Sequence, residues 1–194
     1  MDSKERLVEA MSELMWERGY AATTPREVQA RSGVGQGSMY HHFAGKRELA
    51  LAALERNCAD LLPTTEGLLS RPGDPLEKLV TYLRHPRSAL KGCKVGRMTQ
   101  DPLVASDPGL LAPVAAAFEK VHELQVAVIR EAVAVGELDP ATDPDRLARL
   151  LSATIQGGYV LAIAAGDPRP YEDACAGAAD LLLAAATKQG GRVT

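Results

Sequence analysis

Aromatic side chains are scarce in this sequence, 4% of 194 residues, and Val, Ile and Thr are few beside the abundant Ala and Leu. Sheets are built from β-branched and aromatic side chains, whereas Ala and Leu lose least on entering a helix. The shortage excludes a β-rich fold and favours an all-α one. Cysteine is equally sparse. Cys58, Cys93 and Cys175 are odd in number, widely spaced and without a CxxC pair, which argues against a disulfide framework or structural zinc and for a reducing cytoplasm. No apolar run reaches the roughly 18 residues of a membrane span, and the charged, amphipathic start MDSKERLVEA is not expected to act as a signal peptide. Positive charge is not in excess either. A net charge of -3 argues against indiscriminate nucleic-acid binding but leaves room for a local basic patch. With 46% hydrophobic and 24% charged residues, the composition is that of a folded globular chain.

Capping signals divide the chain. Asp2 with Glu5, Thr24-Pro25 with Glu27, and Asp74-Pro75 with Glu77 each read as a helix start with an acid three residues after the cap. Leu7, Met11, Leu14 and Met15 follow the first at helical spacing, and Gly19 marks its end. The helix opened at Thr24 is interrupted near Gly33, and a second short one spans about 36–43. A longer helix follows Gly45 until Pro63 stops it near Leu62. Past a helix from Asp74 to about His85 lies a short apolar stretch around Met98. A long helix then carries Leu110, Val114, Phe118, Val121, Leu124, Val128 and Ala132 on one side, with Pro113 near its start and Gly136 and Pro140 at its end. Two last helices are predicted over 143–165 and 170–188. The fold class is all-α with about nine helices.

Residues 24–47 carry the information about function. Two short helices meet at Gly33, with Val28 before it, Val34 directly after it and Met39 six residues on. The glycine admits a tight turn and the three apolar side chains lock the helices at a steep angle, which is helix-turn-helix spacing. Gln36, Gly37 and Ser38 open the second helix and are small or amide-bearing, as contact with base edges in a major groove demands. Arg26, Arg31, Lys46 and Arg47 against Glu27 give this stretch +3, which in a chain of net -3 leaves -6 for the remainder. That asymmetry suits a DNA-reading head on an acidic body. His42 is expected in the core with Met39 and Phe43, and Arg31 in solvent or a salt bridge.

The runs Ala21-Ala22-Thr23-Thr24-Pro25-Arg26-Glu27-Val28, Gly33-Val34-Gly35-Gln36-Gly37-Ser38-Met39-Tyr40-His41-His42-Phe43 and Lys46-Arg47-Glu48-Leu49 closely resemble the TetR/AcrR family of transcriptional repressors. The resemblance covers residues 3–56 without a gap, and its most specific element is Tyr-x-His-Phe-x-x-Lys. Gln29 departs from the alanine usual at its position, and Gly35 and Gly45 from a capping side chain. The resemblance implies a three-helix helix-turn-helix head, residues 1–48, on a larger helical ligand-binding and dimerisation body, residues 49–194. By it, Thr24, Tyr40 and Lys46 bond phosphates of a palindromic double-stranded DNA operator. Gln36, Gly37, Ser38 and His41 are the candidates for base-edge contact. It implies a cytoplasmic homodimer with no cofactor, no membrane and no catalysis.

The body is read from its helices. Those over 143–165 and 170–188 are apolar nearly all round, so each needs a second buried side, which points to a partner subunit, as the resemblance also implies, or else to a monomer with one thick core. Leu151, Gly158, Leu161, Ala179 and Leu183 are the candidate dimer interface. Tyr82, Cys93, Met98, Phe118, His122 and Tyr159 are the candidate lining of a pocket for a small, mostly apolar effector, which by the resemblance releases the DNA. His122, beside Phe118, Val121 and Gln125, requires a polar partner that an effector could supply. Gly92-Cys93-x-Val95-Gly96 resembles the branch that responds to lincomycin-type drugs and flavonoids. Two other readings stand beside this one. A partner-binding module with impaired DNA recognition rests on Gln29 and the two missing caps. An enzyme finds no support: there is no HExxH, no GxxxxGK[ST] and no Ser–His–Asp pattern.

Overall fold

The computed structural model describes residues 2–186; the end of the last predicted helix, through Lys188, lies outside them. Among the described residues there are nine α-helices, two short 3₁₀ helices and no strand. The α-helices are α1 (Ser3–Arg18), α2 (Pro25–Ser32), α3 (Gln36–His42), α4 (Lys46–Leu69), α5 (Pro75–Arg84), α6 (Pro102–Ala105), α7 (Pro108–Ala134), α8 (Pro144–Ala165) and α9 (Arg169–Ala185). The 3₁₀ helices span Ala89–Lys91 and Gly96–Gln100. Two compact units result. One takes the chain up to Leu61 together with Cys93–Ala117, and the other takes Leu62–Gly92 and the chain from Phe118 onward.

The first unit is built by the caps read from the sequence. Asp2 accepts the Glu5 N–H at 2.8 Å while Glu5 accepts the Asp2 N–H at 3.1 Å. Thr24 and Glu27 close the same box at 3.3 and 2.9 Å, so two otherwise orphaned donors are satisfied at each helix start. Leu7, Met11, Leu14 and Met15 form a buried stripe on α1, which packs on α2 and α3, where Val28 and Met39 are buried too. A buried hydrogen bond from Ser12 to Asn57, 2.6 Å, ties α1 to α4.

Two expectations fail here. Pro63 does not stop α4, which continues to Leu69. An internal proline costs about 3 kcal/mol, but Thr65 and Leu69 beyond it are buried, and that packing offsets the broken bond. The third cap does not form either. Asp74 makes no side-chain bond to its helix; Glu77 turns to Arg71 at 2.9 Å, and the Leu76 N–H is capped instead by Glu137 at 2.8 Å.

In the second unit α8 packs on α9, and α9 on α5. Gly158 makes the α8–α9 approach possible: a Cβ there would lie 3.0 Å from Tyr171 Cδ2 and 3.3 Å from its Cα. By length and composition alone α8 passes for a membrane span, a test that the core helix of a globular protein also meets. One of its faces, Ala148, Leu151, Ile155, Gly158 and Ala162, is buried in the protein.

Candidate nucleic-acid interface

Gly33 ends α2 at φ +66°, a left-handed conformation that glycine adopts without a Cβ clash. Val28, Val34 and Met39 are 0, 4 and 1% exposed, so the turn is clamped from inside. The opposite side of α3 faces out. Gln36, Gly37 and His41 are exposed, Ser38 is half-buried, and Tyr40 is 50% exposed. A Cβ at Gly37 would meet nothing within 4 Å. Gln29 fits where alanine was expected by laying its amide on the Met39 sulfur at 3.6 Å. His42 is half-buried and bonded to Ser3 at 2.7 Å, which fastens the end of α3 to the start of α1.

The candidate phosphate ligands have internal partners too. The exposed Thr24 hydroxyl donates to Glu27 Oε2 at 2.8 Å. This bond and the Thr24 N–H hold the Glu27 carboxyl below its usual range, with Arg18 adding to the effect. Lys46 Nζ donates to the Tyr20 carbonyl at 2.7 Å and lies 4.1 Å from the Tyr20 ring centre. Burial pushes its ammonium pKa down, and two of its three N–H donors remain.

Charge counting along the sequence overstated the basic patch. Arg31 is held bidentately by Glu17 at 2.6 and 2.9 Å, and Arg47 by Asp107 at 2.6 and 2.8 Å. Both acids lie outside residues 24–47. Arg26 is exposed.

The candidate effector residues divide between the units. Cys93 and Met98 fall in the first: Cys93 Sγ accepts the Gly96 N–H at 3.2 Å, and Met98 is fully buried. Tyr82, Phe118, His122 and Tyr159 fall in the second. Tyr82 and Tyr159 are buried around Arg87, an arginine absent from the sequence reading. Its guanidinium lies 4.9 Å from the Tyr82 ring and donates to Tyr171 Oη at 2.9 Å, while the Tyr159 and Tyr171 rings stand 4.8 Å apart. Phe118 is half-buried. His122 already has its polar partner, Asp145 Oδ1 at 3.1 Å, so no effector is needed to satisfy it.

Of the candidate interface residues, Leu151, Gly158 and Ala179 are buried within the chain itself, whereas Leu161 and Leu183 are 55 and 47% exposed. Leu150 and Leu181, at 59 and 72%, are more exposed still. They line an apolar groove of about 820 Å³ between α8 and α9 with Leu147, Thr154 and Ala178.

Residues 7–53 match the family described as "Bacterial regulatory proteins, tetR family", and residues 75–178 match the "Tetracyclin repressor-like, C-terminal domain". An uncharacterised HTH-type transcriptional regulator of Bacillus subtilis is 28% identical over 87% of this chain and 89% of its own length. The HTH-type transcriptional repressor DhaR of a Mycobacterium species is 28% identical over 81 and 80%. The crystal structure of a TetR transcriptional regulator from Chloroflexus aurantiacus superposes with a TM-score of 0.85 over 95% of this chain and 96% of that one, at 26% identity.

Proposed function

The chain belongs to the tetR family of bacterial regulatory proteins, and on that premise we propose a cytoplasmic, ligand-responsive repressor that binds a palindromic operator as a homodimer. The observation that carries this reading is α3: its inner Met39 is buried with Val28 of α2 and Val34 of the turn, under an open outer face of Gln36, Gly37, Tyr40 and His41. A helix held this way can enter a major groove as a rigid unit.

Residues 1–48 form the DNA-binding domain and 49–194 the ligand-binding and dimerisation domain. Gln36 pairs bidentately with adenine, Gly37 admits a thymine methyl, and Ser38 and His41 complete the base contacts. Tyr40, Thr24 and Lys46 hold phosphates and set the register. The second copy covers the exposed apolar side of α8 and α9, where Leu150, Leu161, Leu181 and Leu183 remain in solvent in a single chain. A small, mostly apolar effector, bound in the body beside residues such as Tyr82, Phe118 and Tyr159, favours the state that releases DNA. Its coupling to operator binding is reciprocal and on the order of 1–3 kcal/mol.

Selection of bound duplexes from a random pool tests the proposal. A palindromic consensus whose affinity falls as salt rises supports it; no enrichment by the ligand-free protein overturns it.

A further inference from the structure

Arg47 is the second residue of α4, next to Lys46, and its side chain is 56% exposed. Exposure leaves it within reach of solvent anions, yet its fork is closed on an acid of its own chain. Nε donates to Asp107 Oδ2 at 2.6 Å and Nη2 to Oδ1 at 2.8 Å. Asp107 is anchored in turn, because Oδ1 also accepts the N–H groups of Gly109 at 2.9 Å and Leu110 at 3.3 Å at the start of α7. Gly109 makes room for the guanidinium: a Cβ there would lie 2.4 Å from Arg47 Nη2. The hydrogen bond from the Arg47 fork holds the Asp107 carboxyl well below the usual carboxylate range, at about 2, and the same bond pushes the Arg47 guanidinium up.

Parallel N–H bonds from a planar guanidinium to two oxygens are also how arginine takes a phosphate. Arg31, the other paired arginine of this stretch, lies in the last turn of α2. Arg47 lies in the first turn of α4, beside a lysine assigned to the DNA backbone. On the reading of the chain as a DNA-binding regulator, we propose that Asp107 makes an autoinhibitory contact, occupying in the free protein the guanidinium that an operator phosphate takes in the complex. The exchange swaps one surface pair, its arginine exposed and its acid half-buried, for another, so its net effect is modest, about two- to five-fold in affinity.

The test is a double-mutant cycle read by fluorescence anisotropy on the selected operator duplex, with wild type, Asp107→Asn, Arg47→Gln and the double variant. Asparagine retains an acceptor for the Gly109 and Leu110 N–H groups, and thermal melting followed by circular dichroism reports whether the fold is kept. The expected result is that Asp107→Asn tightens binding about two- to five-fold. Arg47→Gln weakens it and reduces the slope of log K against log salt by about one. In the Arg47→Gln background, Asp107→Asn then changes nothing. Gly109→Ala, whose methyl displaces the guanidinium far more than it presses on Asp107 Oδ1 at 3.3 Å, acts in the same direction as Asp107→Asn and serves if that variant unfolds. Weaker or unchanged binding by folded Asp107→Asn, or by folded Gly109→Ala in its place, overturns the proposal. So does equal tightening by Asp107→Asn with and without Arg47, which would mark diffuse removal of negative charge. A wild-type chain that binds operator but fails the cycle overturns this inference alone. One that binds no duplex overturns the repressor reading with it.

Discussion

Replacing Leu181 with aspartate separates the dimer from the fold. Leu181 is 72% exposed in the single chain, while its neighbour Leu182 is buried at 5%. The monomer therefore gains little from Leu181, and a second copy covering the α8–α9 groove gains nearly the whole side chain. Full burial of a leucine is worth about 1.5–3 kcal/mol, so the exposed share is worth about 1–2 kcal/mol per copy. Two-fold symmetry counts each substitution twice, which brings the loss to roughly 2–4 kcal/mol, or a dimer dissociation constant about 30- to 1000-fold higher. Two carboxylates forced into an apolar seam add to that loss. Sedimentation velocity over a concentration series reads the constant, and far-ultraviolet circular dichroism checks that the helices persist. A Leu181→Asp protein that dissociates no more readily than wild type refutes the assignment of this face to the second copy.

Three further outcomes are expected. Gln36→Ala should relax discrimination at one or two base pairs of each half-site by about 1–3 kcal/mol, whereas Lys46→Ala should weaken all duplexes alike and lower the salt slope; repeated selection and salt titration distinguish the two, and an unchanged consensus for Gln36→Ala removes it from the reading face. Gly158→Ala gains up to about 1 kcal/mol of helix propensity. It also presses a methyl onto Tyr171, itself pinned by Arg87 and Tyr159, at a cost of about 1–3 kcal/mol, so its melting temperature should fall; a rise contradicts the close approach. Asp107, Glu27 and Asp167 all have depressed carboxyl pKa values. Their contribution is complete above the unfolded carboxylate pKa near 4 and is lost as pH falls towards that of Asp107, about 2. Arg47→Gln should therefore flatten the acid limb of a stability profile, and an identical limb would count against the Asp107 pair.

What was legible in the sequence was local. The Asp2–Glu5 and Thr24–Glu27 boxes and the Gly33 turn depend on residues a few positions apart, and the helix-turn-helix followed from them. Asp74–Glu77 has the same spacing and fails, because Arg71 and Glu137 compete for the groups that would close it. Pro63 stops a helix only where nothing beyond it is buried, and Leu69 is. The basic patch shrank because Glu17 and Asp107 neutralise arginines from outside the stretch being counted. On a helix apolar all round, nothing local tells Leu150 from Leu151; only the packing of α9 decides that Leu151 turns in and Leu150 out. The partner of His122 was hidden for the same reason, since Asp145 is 23 residues away in the chain.

On the proposed reading, two copies present α3 to successive major grooves on one side of a duplex. Hydroxyl-radical and methylation footprinting of the selected operator tests it most directly. Two symmetric protected patches about one helical turn, or a multiple of one, apart are expected, with major-groove purine positions shielded inside each. A single patch, or protection confined to the minor groove, would contradict it.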